Sequence, residues 1–363
     1  MKEYEIKANN RYVRFFGRTA PDVLDGLTFF NWSCSGFEFS FYGKGAAARI
    51  FTGKWRDGKV AGEDSRAYLG VWLDDSPEKH AVIALDEEEK LVTLADGLEN
   101  GQHKVKVMKL TEAGYGRAAL RSILIEGTGK PEPTRAKSVR MEFIGDSITC
   151  GYGNICPDGS PLFVTREEDA SQTFAWFLAE KMKSEISCVC ASGNGVFHDY
   201  GMNTVNLIPE LYKYTDKMLS GHYGKTPSEW DSSSYIPDYV VIKLGQNDSR
   251  FCMGMDLDES DRIPEVIKSR EEQFRDRYIE FLIQVRSANP HSKIIVFYDS
   301  DTHLKERIRQ AVAFCQSKNG DDNIFVTGVM SKLPSEGVGA NGHWAVATHK
   351  RVAHDLYYYI LLT

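Results

Sequence analysis

Apolar positions in the first third of the chain recur with a period of two. Phe37, Phe39 and Phe41 alternate with Glu38 and Ser40, and Val105 and Val107 alternate with Lys104 and Lys106. This is the signature of a strand with one face on a core and the other in water. Similar short runs lie at 12–16, 46–51, 68–73, 81–85, 91–94 and 122–126, separated by Gly, Asn and Asp. Short strands without helix-length patterns between them predict an antiparallel β-sandwich over 1–130.

The pattern breaks at Gly127-Thr128-Gly129-Lys130-Pro131-Glu132-Pro133, a composition suited to an extended connection. A linker is placed at 131–137 and a second domain at 138–363. There, near-continuous apolar runs at 139–144, 186–191, 239–244, 293–298 and 324–329 alternate with amphipathic segments at 171–182, 270–288, 305–316 and 346–361. Runs of that kind are buried on both faces of a parallel sheet, so the expected architecture is a five-stranded α/β/α layer. Ligands of open parallel sheets bind beyond the carboxyl ends of the strands. The residues that follow each strand are therefore the candidates for chemistry.

Charge narrows the function. The 363 residues carry 44 basic against 51 acidic side chains, a net charge of −7, so the electrostatic footprint of a nucleic-acid or anionic-membrane binder is missing. No apolar run approaches the roughly 18 residues of a membrane helix. The first seven residues, MKEYEIK, have no apolar leader character, from which an unsecreted, cytoplasmic protein is expected. Seven scattered cysteines (Cys34, Cys150, Cys156, Cys188, Cys190, Cys252, Cys315) argue for buried thiols in a reducing compartment rather than a disulfide framework. No Cys-x-x-Cys pair or His array suggests a metal.

After the first parallel strand comes Gly145-Asp146-Ser147-Ile148-Thr149, where a serine on a tight turn can project its hydroxyl over the sheet edge. Ser192-Gly193-Asn194-Gly195 follows the second strand, Gly245-Gln246-Asn247-Asp248 the third, and Gly339-Ala340-Asn341-Gly342-His343-Trp344 precedes the last helix. A hydroxyl nucleophile needs a base within hydrogen-bond reach, and the oxyanion formed on attack needs backbone N–H or amide donors. Each motif alone is ordinary turn chemistry; their order along one sheet edge supplies a nucleophile (Ser147), donors (Ser147 N–H, Gly193 or Gly195 N–H, the Asn247 amide) and a base (His343). Asp146 reads as a turn-stabilising acceptor, and His349 as a structural residue on the last helix.

These blocks resemble the SGNH or GDSL hydrolases, with Ser147, Gly193, Asn247 and His343 at the four signature positions. The likeness is closest to carbohydrate esterase family two, in which a jelly-roll domain precedes a flavodoxin-like hydrolase domain. The resemblance implies hydrolysis of O-acetyl groups on oligosaccharides of the xylan and glucomannan type, with no metal or organic cofactor. It implies Ser147 as nucleophile, His343 as base, and an oxyanion hole of Ser147, Gly193 and Asn247, with Gly195 as the alternative to Gly193. The acid that many such enzymes place two or three residues before the histidine is absent, because Ala340 and Asn341 stand there. A Ser-His dyad supported by a backbone carbonyl is therefore expected. Trp344 is read as a sugar-stacking wall or a core residue, and Trp32, Trp55, Trp72 and Trp230 as further candidate sugar contacts. The competing readings are a non-catalytic carbohydrate-binding protein on a degenerate esterase scaffold and a short-chain lipase or arylesterase.

Overall fold

The computed structural model describes residues 2–9, 11–21, 23–53, 65–127, 131–255 and 257–363. The amino-terminal strands are β1 (Lys2–Lys7), β2 (Arg14–Phe16), β3 (Thr28–Phe29), β4 (Gly36–Phe51), β5 (Tyr68–Leu73), β6 (Ala81–Ala84), β7 (Glu89–Ala95), β8 (Gly101–Lys109) and β9 (Ala119–Gly127). All their pairings are antiparallel. The two runs expected at 37–41 and 46–51 are one 16-residue strand, β4, whose first half pairs with β2 and β8 and whose second half pairs with β9 and β7.

Gly43 and Gly45, which look like a turn, instead mark a register shift inside the strand. A Cβ at Gly43 would lie 2.3 Å from the Glu126 carbonyl oxygen, so the bend requires glycine. The sheet thus folds over a shared interior of Phe37, Phe39, Phe41, Ile50, Leu69, Val71, Val105, Val107, Ile123 and Ile125. β1 was not anticipated: its Lys and Glu residues hide the alternation of a strand that, among the described residues, pairs with β9 alone.

The second sheet is fully parallel, in the order β11 (Ser184–Cys190), β10 (Val139–Gly145), β12 (Tyr239–Lys243), β13 (Lys293–Asp299), β14 (Ile324–Val329). The order reverses at β10, which makes the ends of β10, β11 and β12 the switch point where ligands bind. The helices among the described residues are α1 (Ser147–Cys150), α2 (Phe174–Lys181), α3 (Ile208–Leu211), α4 (Lys217–His222), α5 (Asp248–Cys252), α6 (Pro264–Ala288), α7 (Lys305–Asn319) and α8 (Val346–Leu362). α6 and α7 cover one face of the sheet through Phe274, Tyr278, Ile308 and Val312, and α2 and α8 cover the other through Phe174, Leu178, Val352 and Leu356. α6 begins six residues before the expected start because Pro264 opens it, and the proline's fixed φ suits the first helical turn.

The two domains share a continuous interface. Phe16, Cys34, Trp72, Met108 and Leu110 join the core beneath α2 and α8, and Trp32 joins the opposite one. Buried polar links cross as well: Arg18 to Glu142 at 3.1 Å, Arg14 to Glu185 at 3.1 Å, and the Asn31 amide to Asp216 at 3.0 Å. Residues 128–130, just ahead of the linker placed at 131–137, lie outside the described residues.

Candidate active site

A cleft of about 620 Å³ opens at the carboxyl ends of β10, β11 and β12, within the usual range for a small-ligand site. Ser147, Gly193, Asn247 and His343 all line it. The Gly145 turn places Ser147 there: a Cβ on Gly145 would lie 2.0 Å from the Thr149 hydroxyl oxygen, so only glycine lets α1 start directly over the strand end. Asp146 caps α1, its Oδ1 accepting from the Ile148 N–H at 3.0 Å. The other carboxylate oxygen faces the buried Lys243 Nζ at 3.3 Å, and Asp299 flanks that ammonium at 3.7 Å. Asp146 is thus the turn acceptor expected from sequence and also part of a buried ion cluster under the site.

His343 Nε2 lies 2.9 Å from Ser147 Oγ, and its Nδ1 lies 3.0 Å from the Ala340 carbonyl oxygen. A carbonyl only accepts, so Nδ1 carries the ring proton and Nε2 presents a lone pair to the serine hydroxyl. Burial pushes the imidazole below the ordinary 6.5, while the bond to Ala340 and the charge of Asp146 oppose that shift. Asn341 hydrogen-bonds through its side chain elsewhere than to the imidazole. In a left-handed conformation (φ 52°), it donates its amide to the Tyr152 hydroxyl at 3.2 Å. The Tyr152 ring stacks on Phe163 and packs 4.5 Å from the imidazole.

Gly193 adopts φ 75°, a conformation open to glycine. Neither its N–H nor that of Ser147 has a hydrogen-bond acceptor among the described residues. The Asn247 amide donates one hydrogen to the Asn194 carbonyl at 2.7 Å, which fixes the nitrogen and leaves its second hydrogen for the cleft. Gly195 does not line the cleft. Its Cα is turned toward Asp248, where a Cβ would lie 2.6 Å from both carboxylate oxygens. Asp248 Oδ1 instead accepts the N–H groups of Val196, Phe197 and His198 at 3.0, 2.7 and 3.0 Å. Burial pushes its carboxyl up to about 6, against the pull of those bonds.

Trp344 is a core residue rather than a wall. Only 2% exposed, it packs edge-on to Phe174 and His349, because the chain turns inward to start α8 immediately after His343. His349 is buried, its Nδ1 accepting the Phe174 N–H at 3.1 Å, and burial pushes it down to about 3. Trp32 and Trp72 are buried at the domain interface and Trp230 lies under the Arg18 guanidinium, so none of the three faces the cleft; Trp55 lies outside the described residues. The aromatic residues that do line the cleft are Tyr115, Tyr152, Tyr200 and an edge of Trp344. Tyr200, 57% exposed with Arg250 4.4 Å over its ring, carried no sequence signal. Glu112, Gly114 and Tyr115 reach the cleft from the amino-terminal domain, and nothing in the local pattern foretells that crossing.

Residues 15–134 match the model of the carbohydrate esterase 2 N-terminal domain, and 141–356 that of the GDSL-like lipase/acylhydrolases. Cellulase/esterase CelE of Acetivibrio thermocellus is 28% identical over 335 residues, 90% of this chain and 36% of that protein. An acetylxylan esterase / glucomannan deacetylase of Cellvibrio japonicus is 24% identical over 247 residues, 68% of this chain and 63% of that protein. The chain therefore spans less than two thirds of the length of these two relatives. Among solved structures, a family two carbohydrate esterase from Clostridium thermocellum in complex with cellohexaose superposes with a TM-score of 0.80 at 24% identity, covering 96% of this chain and 98% of that one. An acetyl xylan esterase from Butyrivibrio proteoclasticus superposes at 0.84 and 18%, covering 99% and 98%; at these identities the likeness is one of fold. With the family match covering more than half of the chain, including Ser147, Gly193, Asn247 and His343 of the cleft, the chain belongs to the GDSL-like lipase/acylhydrolases, in a form whose amino-terminal domain is that of carbohydrate esterase 2.

Proposed function

We propose that the protein is a serine esterase that removes O-acetyl groups from neutral oligosaccharides of the xylan or glucomannan type. The observation that carries the reading is the relay from Ser147 Oγ through the His343 ring to the Ala340 carbonyl, set in an open polar cleft. Ser147 Oγ attacks the acetyl carbonyl carbon while its proton passes to His343 Nε2. The N–H groups of Ser147 and Gly193 and the Asn247 amide receive the oxyanion. Collapse breaks the bond from carbonyl carbon to sugar oxygen, and that oxygen takes the proton from Nε2. Water then attacks the acetyl-serine with His343 again as base, releasing acetate and restoring the hydroxyl. The Ala340 carbonyl and, through space, Asp146 favour the imidazolium formed on the way, against burial and the charges of Lys243 and Lys332, which supports reading the pair as a Ser-His dyad.

The acyl and sugar classes rest on the relatives named acetylxylan esterase / glucomannan deacetylase and on the relative holding cellohexaose. The cleft agrees as far as charge goes: its lining includes Asp146, Asp299, Asp301 and Glu112 against Lys243 and Lys332, an acidic excess that disfavours an anionic substrate. The test is acetate release from acetylated xylo- and glucomanno-oligosaccharides, with Ser147→Ala as control. The variant should lose at least about 10⁴-fold in kcat, and nitrophenyl acetate should be cleaved faster than nitrophenyl octanoate. Activity that survives Ser147→Ala, or that rises with acyl length, overturns the proposal.

A further inference from the structure

We infer that Glu112, a residue of the amino-terminal domain, is a positioning residue of the hydrolytic site, its carboxylate fixing the turn that presents the Gly193 N–H; this rests on the esterase reading above. Glu112 lies on the loop after β8 and is 2% exposed. Its Oε2 accepts the Ser192 N–H at 2.7 Å. The same oxygen lies 3.8 Å from the thiol of Cys150, the last residue of α1, the helix that Ser147 opens. One carboxylate oxygen thus touches both the oxyanion turn and the nucleophile's helix.

The turn at 192–194 is held at four points. Gly193 O accepts the Tyr200 N–H at 2.6 Å, Asn194 O accepts the Asn247 amide at 2.7 Å, the Asn194 N–H goes to the Ala191 carbonyl at 3.2 Å, and the Ser192 N–H goes to Glu112. The last two fix the two ends of the 191–192 peptide plane, one Cα before the plane that carries the Gly193 N–H, and of that pair only Glu112 is a side chain. Successive peptide planes pivot only about the φ and ψ of the residue between them, so anchoring the Ser192 N–H narrows the directions open to its neighbour. Gly193 itself imposes no steric limit, since an added Cβ would meet only the Tyr200 Cβ at 3.7 Å. The turn is therefore constrained by its bonds.

The loop that delivers the carboxylate is built around a buried cation. Lys109 Nζ donates to the carbonyls of Thr111 at 3.0 Å, Glu112 at 2.7 Å and Tyr115 at 3.4 Å, which curls the chain so that Glu112, Gly114 and Tyr115 face the cleft. The Glu112 N–H donates to Glu168 Oε1 at 3.1 Å, and burial with the neighbouring Glu112 raises the Glu168 carboxyl well above the usual carboxylate range. Burying a carboxylate and an ammonium costs more than packing two domains with apolar side chains. Docking alone does not call for this arrangement; holding a backbone N–H in one direction does.

The test is steady-state kinetics of the full chain on nitrophenyl acetate and acetylated xylo-oligosaccharide for Glu112→Ala, Glu112→Asp and Glu112→Gln, with a thermal melt of each. A misplaced oxyanion donor costs less than a deleted one, for which the loss is about 10²–10³-fold. Glu112→Ala should therefore lower kcat by about 10–100-fold, with KM within about threefold of the wild-type value. Glu112→Asp, one methylene short of Ser192, should lose in the same parameter. Glu112→Gln keeps an oxygen that accepts the Ser192 N–H and should recover most of the lost kcat. Binding of a boronic acid that mimics the tetrahedral intermediate should weaken in parallel with kcat. Should Glu112→Ala fail to fold, the contrast between Asp and Gln decides. Unchanged kcat in folded Ala or Asp variants, or a Gln variant as slow as Asp, overturns the inference; an inactive wild-type protein overturns the esterase reading instead.

Discussion

Replacing His349 by asparagine tests whether the floor of the site contains a neutral, buried histidine. His349 Nδ1 accepts the Phe174 N–H, and its ring packs 5.3 Å from Trp344, the residue after His343. Asn Oδ1 can take the place of Nδ1, so His349→Asn keeps the acceptor and removes the titration. The unfolded chain protonates this ring near 6.5, whereas burial pushes the folded value down to about 3. The folded state therefore binds fewer protons between those values: stability is at its full value above 6.5 and falls as the pH drops through the window. At pH 5, about 1.5 pH units below the unfolded value, the loss is about 2 kcal/mol at 1.36 kcal/mol per unit. The variant pays a packing cost that does not change with pH. Urea unfolding followed by tryptophan fluorescence at pH 7.5 and 5.0 should show the stability gap between wild type and His349→Asn shrinking by about 2 kcal/mol, or reversing. Parallel losses in the two proteins would falsify the assignment of His349 as a neutral buried ring.

His343, the proposed base, titrates separately. Burial lowers the His343 value below 6.5, and only the neutral ring accepts the serine proton, so kcat/KM should be full above that value and reach half-maximum below pH 6.5 in a pH–rate profile. A midpoint at or above 6.5 would contradict the burial. Asn247→Ala removes a donor already oriented by Asn194 and should cost about 10²–10³-fold in kcat with a smaller change in KM; a loss confined to KM would reassign the amide to substrate binding. Asn341→Asp places an acid where many relatives of this superfamily carry one, yet Nδ1 is occupied by Ala340 O and position 341 points to Tyr152. Its kcat should stay within about threefold of wild type, against the roughly 10⁴-fold effect of a true triad acid; a large gain would show that the loop rearranges to use it.

Much of this protein was legible in its sequence because the relevant signals are local. Five near-continuous apolar runs become five parallel strands, since burial on both faces makes a strand largely apolar, although the edge strand β14 is only partly buried. Ser147, Gly193, Asn247 and His343 are legible as candidates because each lies shortly after a strand or before a helix, and a parallel sheet brings such residues to one edge, where all four line the cleft. The missing acid at 340–341 is visible only against the SGNH pattern that the blocks resemble. Side-chain direction and long-range partnership were not legible. Whether Gly193 or Gly195 faces the cleft depends on Asp248, whose carboxylate draws the N–H groups of 196–198 to its own side. Whether Trp344 is wall or core depends on where α8 enters the fold. The support of His343 by Ala340 depends on a backbone carbonyl, which every residue carries and no side-chain pattern reveals. The contribution of the amino-terminal domain, from Lys109 to Glu112 to Ser192, joins residues 80 apart along the chain across two domains. Sequence fixes which atoms are available near each strand end; tertiary packing alone sets the directions in which they point, and acyl transfer depends on those directions.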